Sequence, residues 1–363
     1  MTFTTQALVE GPVFDSALRF AAAYTGQQQA DAIDPIVEMG WAATLIPEQE
    51  GGAGGSLDDL VAIIDGLGQH ALALPLLERC ALTPLLLAAV EHPAKRRQWL
   101  TSIANGTCAI STLCTTQPDL GLGALSAKID SGGKHFTLQG HLLGTALSTH
   151  ATHYLVLARQ TSTKQALFFL MPAIELPAPT KHYRSIDGVQ TVDIVFENIN
   201  VPSAQCLAQG TSAAAASAAA QNMALLTTAV DTVSALGSLL ERTIQYLKTR
   251  TQFDVALSSF QALRHRTVEM YVRYESARGM LQECLRHGLT DPEQTRRLRL
   301  LKLCLGDAAR FSAQAAIQLH GGMGMSEETL AARLAQRLIT NEYRFGDRLF
   351  HAKALGHSDL PTT

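Results

Sequence analysis

Residues of the types that bind anions or move protons are concentrated in three stretches of the last third of this sequence. These read ERTIQYLKTRTQF (241–253), FQALRHR (260–266) and AIQLHGGMGMSEE (316–328). Arginine suits a pyrophosphate because its planar fork can bond two oxygens at once. Glycines let a backbone approach a phosphate closely, and the amides at a helix N-terminus attract negative charge. The combination predicts a site for an anionic cofactor at the ends of helices.

Each of these features also has a purely structural explanation. Gly321 and Gly322 can form a tight turn between two helices, and a histidine placed like His320 more often satisfies a carbonyl than binds a ligand. Polar side chains also decorate exposed helix ends without binding anything. That explanation applies to each member of the remaining group, which is Arg250, Gln252, Gln261 and Arg264.

Glu241 is the best candidate for a general base. It lies beside Leu239, Leu240 and Ile244, nine residues before Arg250, and a partly buried carboxylate can remove a proton from a substrate. The alternative is an ordinary surface carboxylate on a helix. The sequence has no HExxH, GxSxG or GxxxxGK[ST] motif and no GxGxxG after a strand. Metalloprotease, serine-hydrolase, P-loop and Rossmann sites are therefore unsupported, and we expect no metal site.

Composition narrows the class of protein. Apolar residues make up 47% and charged residues 17% of the 363 residues, whereas the usual charged share is about 25%, which favours broad subunit interfaces. The net charge of −3 gives no reason to expect nucleic-acid binding. Six cysteines without paired spacing suggest a reduced, cytoplasmic protein. The N-terminus lacks signal-peptide features, and the alanine run at 213–220 is too short to span a membrane.

Hydrophobic periodicity divides the chain into helical, β and helical parts. We predict an N-terminal helical domain over 1–106, a middle β-domain over 107–208 and a C-terminal helical bundle over 209–363. The absence of βαβ alternation argues against a doubly wound sheet and favours an α+β fold that is mostly α. Capping residues predict three helix starts, at Ser56 with Asp59, at Thr290 with Glu293, and at Ser326.

Four segments together carry a family resemblance. The residues YLKTRTQF and FQALRHR within 246–269, followed by AIQLHGGMGMSEE, resemble the acyl-CoA dehydrogenase family. MGWAATLIPEQEGGAGGSLDDLVAIIDGLG (39–68) is similar to the N-terminal helical domain of that family, and SIDGVQTVDIVFENINVP (185–202) to the end of its β-domain. The residues in these segments are most similar to those of the small subunits of short bacterial pimeloyl-CoA or steroid side-chain dehydrogenases. Some of these subunits work as unlike pairs.

The resemblance implies a fold, a cofactor and a reaction. The fold is an N-terminal helical domain, a middle β-barrel or sheet domain and a C-terminal four-helix bundle, usually in tetramers that are dimers of dimers. FAD lies between subunits, and an acyl-CoA thioester is oxidised to the 2-enoyl-CoA. A glutamate removes the α-proton while a hydride passes to the flavin. The implied electron acceptor is an electron-transfer flavoprotein or a similar protein.

Carried over to this chain, the resemblance assigns two groups of cofactor residues. Arg250, Phe253 and Gln261 match positions that hold the FAD of the neighbouring subunit, in trans. Gln318, Gly321 and Gly322 match the segment that contacts its pyrophosphate and adenosine. Both groups are intact in this sequence.

The positions that would hold a flavin in cis are less well preserved. Thr116 is retained, but Leu122 and Gly123 stand where the family has Ser-Asp. The usual Trp-Ile-Thr beside the flavin ring falls on Gly144-Thr145-Ala146. The position of the most common catalytic glutamate is occupied by Phe345, with Glu342 one turn earlier as a weak substitute. Glu241 therefore remains the candidate base.

Three functions follow as alternatives. The chain can complete the FAD site of an unlike partner subunit in trans. It can be a self-sufficient homo-oligomeric dehydrogenase that uses Glu241 as its base. It can also be a non-catalytic member of the family that acts as a binding or scaffold subunit.

Overall fold

The computed structural model describes residues 3–24 and 34–358. Its helices are α1 (Pro12–Tyr24), α2 (Pro35–Glu38), α3 (Leu57–Gly68), α4 (Thr83–Leu87), α5 (Pro93–Ala104), α6 (Gly210–Thr249), α7 (Gln261–Leu285), α8 (Gln294–His320), α9 (Leu330–Tyr343) and α10 (Arg348–Ser358). Its strands are β1 (Ile110–Leu113), β2 (Leu125–Ile129), β3 (His135–Ala146), β4 (His153–Gln160), β5 (Ala166–Pro172), β6 (Lys181–Arg184), β7 (Gln190–Pro202), β8 (Cys206–Gln209), β9 (Thr251–Gln252) and β10 (Val255–Ala256).

The chain folds into two compact units. Within the described residues, one unit contains 3–24, 61–73 and 225–358, and the other contains 34–60 and 74–224. We call them the bundle unit and the sheet unit. The first holds most of the long C-terminal helices, and the second holds strands β1 to β8.

The sheet unit is built on one eight-stranded sheet. Its order is β6-β7-β3-β2-β4-β5-β8, with β1 pairing β4. Most neighbours are antiparallel, as the short strands predict, but β1 and β2 both run parallel to β4 and share one of its edges. The continuous apolar run of β5 is buried on both faces. Phe136 and Phe169 meet edge to face in its core, with ring centroids 5.1 Å apart.

The bundle unit is organised around the part of α6 that follows residue 224. This helix is long and apolar enough to cross a membrane, but its apolar window is entirely buried inside the protein, as a core helix would be. Its single buried charge is matched: the Asp231 carboxylate accepts hydrogen bonds from Arg337 Nε at 2.8 Å and Asn341 Nδ2 at 2.6 Å, both on α9. These bonds fix the position of α9 along α6.

The predicted helix starts have different outcomes. Ser56 and Asp59 cap α3 as expected, with Ser56 N donating to Asp59 Oδ2 at 2.7 Å. The cap at Thr290 is wrong because Asp291 accepts the Glu293 amide at 2.8 Å and the helix begins later. The cap at Ser326 is also wrong. A 3₁₀ turn over Gly321–Met325 delays the next helix, which is capped by Thr329 through the Ala332 amide at 3.2 Å.

Candidate cofactor site

Two of the stretches singled out from the sequence meet at one end of the bundle unit. The ring of Tyr246, near the end of α6, stacks on His320, the last residue of α8, with centroids 4.4 Å apart and planes at 17°. The Tyr246 hydroxyl donates to the His320 carbonyl at 3.2 Å. Arg250 and Gly321 follow these two residues by a few positions. The structure therefore brings the arginine end of α6 beside the glycine segment.

His320 has a structural role rather than a ligand-binding one. Its ring is buried, and Nε2 lies 3.3 Å from Thr243 Oγ1 on α6. The Thr243 hydroxyl donates to the Leu239 carbonyl at 2.7 Å, so its oxygen is free to accept from the ring. Burial lowers the pKa of His320. The buried His320 ring thus connects the end of α8 to α6.

Phe253 is displayed at the tip of a short hairpin. Strands β9 and β10 pair antiparallel, and Phe253 and Asp254 form the two-residue turn between them with φ of 54° and 63°. Such turns favour asparagine and glycine, because both central residues need positive φ. The Phe253 side chain is 84% exposed. Its ring packs edge to face against that of Phe260, with ring centroids 6.1 Å apart. A strained backbone that presents an aromatic ring to solvent is typical of a binding residue.

The six residues predicted to hold FAD in trans all belong to the bundle unit and are all exposed. They are Arg250, Phe253, Gln261, Gln318, Gly321 and Gly322. Gly321 adopts φ 59° and ψ −137°, a conformation that essentially only glycine reaches. Arg264 differs from Arg250, because its Nε donates to the Ser258 carbonyl at 2.5 Å and braces the turn before α7. The exposed set fits a cofactor approached from outside this chain.

The loop expected to contact a flavin in cis has no amides to offer from its glycine-rich part. The Asp119 carboxylate accepts the amides of Gly121 at 3.0 Å and Gly123 at 2.8 Å. The amides of residues 117, 120, 122 and 124 donate to oxygens of residues 115, 117, 119 and 121 in the same loop. Thr116 is exposed beside it. An anion brought to this loop would meet a carboxylate instead of free donors.

The surroundings of that loop are equally unlike a flavin pocket. Leu122 is 3% exposed, so the position expected to carry a serine hydroxyl points a hydrocarbon into the core. The Gly144 amide donates to Asp193 Oδ1 at 3.0 Å, and the Tyr183 hydroxyl donates to the same oxygen. The Thr145 hydroxyl is buried without a partner among the described residues. The cis residues of this chain do not fit the flavin.

Glu241 is engaged by the beginning of the chain. Its Oε2 accepts the Thr5 amide at 2.9 Å and the Thr5 hydroxyl at 2.8 Å. Gly237, one turn earlier on α6, makes room for this contact, since a Cβ there would lie 2.7 Å from Thr5 Cγ2. The carboxylate thus ties the N-terminal segment to α6. Its use as a base stays a prediction that this arrangement does not favour.

The position expected to carry the catalytic glutamate is filled by a buried phenyl ring. Phe345 is 4% exposed and has φ 57°. Glu342 is no substitute, because Arg310 holds both of its carboxylate oxygens, with Nη2 at 2.8 Å and Nε at 3.1 Å. Arg348 Nε adds a third contact at 3.3 Å. The carboxylate is therefore committed to an ion-pair cluster.

Two buried basic groups fix the turn that contains Phe345. Lys302 Nζ donates to the carbonyls of Asn341 at 2.8 Å and Arg344 at 2.9 Å. Burial lowers the pKa of Lys302 to about 8, although the nearby Glu342 charge opposes the change. His351 Nε2 lies 3.1 Å from the Phe345 carbonyl, and burial lowers its pKa to about 4. Hydrogen bonds from two buried side chains therefore hold the backbone carbonyls of this turn in place.

Three residues that shape the site were missed by sequence reasoning. Asp119 had a local signal, because an aspartate followed by glycines favours hydrogen bonds from its side chain to backbone amides two residues on. Lys302 had none, since nothing local marks a lysine within an amphipathic helix as buried. Thr5 could not have been found, because its partner Glu241 is 236 residues away.

Residues 213–347 match the family model described as acyl-CoA dehydrogenase, C-terminal domain. The chain is 24% identical over 319 residues to the probable acyl-CoA dehydrogenase YngJ of Bacillus subtilis, covering 84% of this chain and 83% of that protein. It is 26% identical to the acyl-CoA dehydrogenase IpdE2 of Mycobacterium tuberculosis, covering 80% and 74%.

The predicted resemblance to the acyl-CoA dehydrogenase family is confirmed, over residues 213–347 by the family model and over most of the chain by these relatives. A chain of the ChsE4–ChsE5 complex from Mycobacterium tuberculosis has the same fold, with a TM-score of 0.82 at 19% identity over 98% of this chain and 100% of that one. The predicted fold class is confirmed. Acyl-CoA dehydrogenases are FAD-dependent flavoproteins, so the predicted cofactor of the family, FAD, is confirmed as well.

Proposed function

We propose that this chain is one subunit of an acyl-CoA dehydrogenase made of unlike subunits, in which it completes the partner's FAD site in trans. The observation that supports this is the contrast between the two halves of the flavin site. The trans residues, such as Arg250 and Phe253, are exposed and unobstructed. The cis loop is closed on itself by Asp119. The similarity in fold to a ChsE4–ChsE5 chain agrees with an assembly of unlike subunits.

The roles of the trans residues follow from their chemistry. Arg250 can pair its guanidinium with pyrophosphate oxygens, and Phe253 offers a flat apolar surface for an aromatic ring. Gln261 and Gln318 supply amide groups that donate and accept hydrogen bonds. The backbone at Gly321 allows close approach. FAD, when bound, supplies the acceptor for the hydride removed from the acyl-CoA.

The α-proton would be removed by a residue of the partner subunit. In this chain Phe345 has no titratable group and Glu342 is held by Arg310. A carboxylate acts as a general base only when it can reach the substrate proton, and an ion-paired one is poorly suited to that task. The proposal therefore includes an acyl-CoA substrate oxidised at the α,β-carbons, a cytoplasmic location, a dimer-of-dimers assembly and an electron-transfer flavoprotein or similar acceptor.

Flavin content tests the proposal. The chain would be purified alone and together with the product of a neighbouring gene of the same family, and the visible spectrum of each would be recorded. We expect a colourless chain alone, and a flavin-containing complex that is bleached by its acyl-CoA substrate. A yellow chain that holds stoichiometric FAD by itself and is reduced by acyl-CoA would refute the assembly.

The two alternatives make different predictions for the same preparations. A homo-oligomeric enzyme with Glu241 as base would turn over acyl-CoA with an artificial electron acceptor, and Glu241→Gln would abolish turnover while Thr5→Val would retain it. A scaffold subunit would bind neither FAD nor acyl-CoA, even in the complex. The contacts of Glu241 with Thr5 favour neither alternative over the proposed function.

A further inference from the structure

The peptide group that joins His320 to Gly321 is held at both of its polar atoms. Its carbonyl oxygen accepts the Tyr246 hydroxyl at 3.2 Å, and its N–H donates to the Gln318 carbonyl. A peptide group is planar, so hydrogen bonds to its oxygen and from its nitrogen together restrain its orientation. The direction in which the chain enters the segment Gly321–Met325 is therefore fixed by a side chain of α6.

The Tyr246 side chain is itself held in place. Its ring stacks on the His320 ring, with centroids 4.4 Å apart and planes at 17°. The Nε2 atom of His320 lies 3.3 Å from the hydroxyl oxygen of Thr243, which precedes Tyr246 by almost one turn of α6. Tyrosine has only two side-chain torsions, so little entropy is lost when such a ring is ordered. The hydroxyl is thus presented to the His320 carbonyl by a rigid support.

The far end of the Gly321–Met325 segment is anchored as well. The Thr329 hydroxyl lies 3.1 Å from the Met323 carbonyl oxygen and 3.0 Å from that of Ser326, and donates to this pair. Gly324 packs on the last turns of α8, where a Cβ would lie 2.6 Å from the Ile317 carbonyl oxygen. The segment is therefore restrained at its start by Tyr246 and at its end by Thr329.

Between these anchors, the two first glycines of the segment border open space. A Cβ at Gly321 or at Gly322 would come within 4 Å of no atom beyond the adjacent residues, among those that the structure describes. Gly321 also has φ 59° and ψ −137°, a conformation that essentially only glycine adopts. An unusual backbone conformation that is held in place beside open space is suited to meeting a ligand.

We propose that Tyr246 is a positioning residue for the cofactor site. Through the His320 carbonyl, it holds the backbone of Gly321 and Gly322 in the conformation that meets FAD. This role rests on the proposed function, in which these glycines contact the FAD of the partner subunit. Tyr246 acts through the peptide backbone and needs no contact with FAD. A segment that is ordered beforehand loses less conformational entropy on binding, so removal of the hydroxyl should weaken the binding of FAD.

The first test needs neither flavin nor partner. Tyr246→Phe retains the ring and its stack but removes the hydroxyl. In the full chain alone, we expect hydrogen exchange at the Gly321 amide to accelerate about 3–10-fold, which corresponds to the loss of one ordinary hydrogen bond. Tyr154→Phe is the matched control, because the Tyr154 hydroxyl donates to the Ser148 carbonyl at 2.9 Å in the sheet unit. It should leave exchange at Gly321 unchanged.

The second test is a titration of the apo-complex with FAD, followed by flavin fluorescence. We expect Tyr246→Phe to weaken FAD binding about 3–10-fold and Tyr154→Phe to retain the wild-type affinity. The control loses a hydrogen bond of the same kind, so a general loss of stability would affect both variants.

The outcomes separate the positioning role from the proposed function. If Arg250→Ala weakens FAD binding and Tyr246→Phe does not, the positioning role is overturned and the proposed function stands. If neither variant weakens binding, both are overturned. Unchanged exchange at Gly321 in Tyr246→Phe, or equal weakening of FAD binding by Tyr154→Phe, overturns the positioning role alone.

Discussion

Asp119 illustrates how one side chain can close a glycine-rich turn against an anion. Its two carboxylate oxygens accept one amide each, from Gly121 and Gly123. A phosphate at this turn would have to displace the carboxylate and overcome its negative charge. The same residue also gives the turn its shape, because hydrogen bonds to an ionised acceptor are stronger than neutral ones. Its loss should therefore be measurable as a loss of stability.

Asp119→Ala should destabilise the chain by about 3 kcal/mol, since two amides lose a charged acceptor and such bonds are worth at least about 1.5 kcal/mol each. Asp119→Asn retains a single carbonyl oxygen and should lose about half as much. Urea unfolding would report both values as shifts of the midpoint with an unchanged slope. Equal stability of all three proteins would show that the carboxylate does not hold the turn.

Glu241 supports a second prediction about a single residue. Glu241→Ala removes the acceptor for the Thr5 amide and hydroxyl, and hydrogen bonds to a charged group are worth about 1.5–3 kcal/mol. We expect hydrogen exchange at the Thr5 amide to accelerate by about tenfold or more. Glu241→Gln retains an acceptor oxygen and serves as the control with a smaller change. Unchanged exchange in the alanine variant would contradict the anchoring role.

The sequence predicted which residues are exposed at helix ends better than it predicted which carboxylates already have partners. Arg250 and Gln261 are exposed where an external cofactor can reach them, as residues of that type at helix ends would be. Whether a given carboxylate is available depends on distant partners. Thr5 engages Glu241, and Arg310 engages Glu342. Such partners are brought together by the tertiary fold, so no local pattern in the chain reports them.

At the level of elements, the turn between α9 and α10 depends on buried basic groups. His351 is 1% exposed and lies against the Phe345 carbonyl. Its pKa is lowered from 6.5 to about 4, first by burial and then by the charge of Lys302. Between these values the unfolded chain binds a proton that the folded chain does not. The contribution of the neutral His351 ring to the free energy of unfolding is complete above pH 6.5 and is lost as the pH falls toward 4.

The contribution of His351 to that pH dependence can be isolated with His351→Asn. We expect the difference in unfolding free energy between wild type and variant to shrink by up to about 3 kcal/mol as the pH falls. Urea unfolding at a series of pH values measures it. His265→Asn, which changes an exposed histidine on α7, is measured in parallel as the control for the substitution itself. A constant difference for His351 would mean that the ring titrates normally.

The contact between α6 and α9 gives a further prediction. Asp231→Ala leaves Arg337 with a buried charge that has lost a principal partner, which should cost about 3–5 kcal/mol. Arg286→Ala breaks the exposed pair with Glu283, whose atoms lie 3.0 Å apart, and should cost less than about 1 kcal/mol. Thermal unfolding of both variants compares the two. Equal losses of stability in the two variants would show that burial does not strengthen the ion pair between Asp231 of α6 and Arg337 of α9.

Element types were easier to predict than their ends and pairings. The 40 residues of α6 are rich in alanine and leucine, so its helical state follows from composition. The start of α9 was misplaced because Ser326 and Thr329 both offer a capping hydroxyl three residues apart, and the preceding turn decides between them. The parallel pairing of β1 and β2 with β4 depends on contacts distant in sequence, which strand patterns do not encode.

At the scale of the whole molecule, the two units carry different shares of the site. The exposed trans residues lie in the bundle unit, and the closed cis loop lies in the sheet unit. Under the proposed function, the bundle unit would contact the FAD of a partner subunit, and the closed loop of the sheet unit would not hold FAD. Loss of an outward residue should then weaken FAD binding by the complex, whereas loss of a cis residue should not.

Arg250→Ala and Thr116→Ala test this distinction in the complex with the partner subunit. Loss of one charge-assisted contact to pyrophosphate is worth about 1.5–3 kcal/mol, so Arg250→Ala should weaken FAD binding by about 10–100-fold. Thr116 is exposed beside the closed loop, and Thr116→Ala should retain the wild-type affinity. Titration of the apo-complex with FAD, followed by flavin fluorescence, measures both. If Thr116→Ala weakens binding and Arg250→Ala does not, the flavin is held in cis and the assignment of the two halves is reversed.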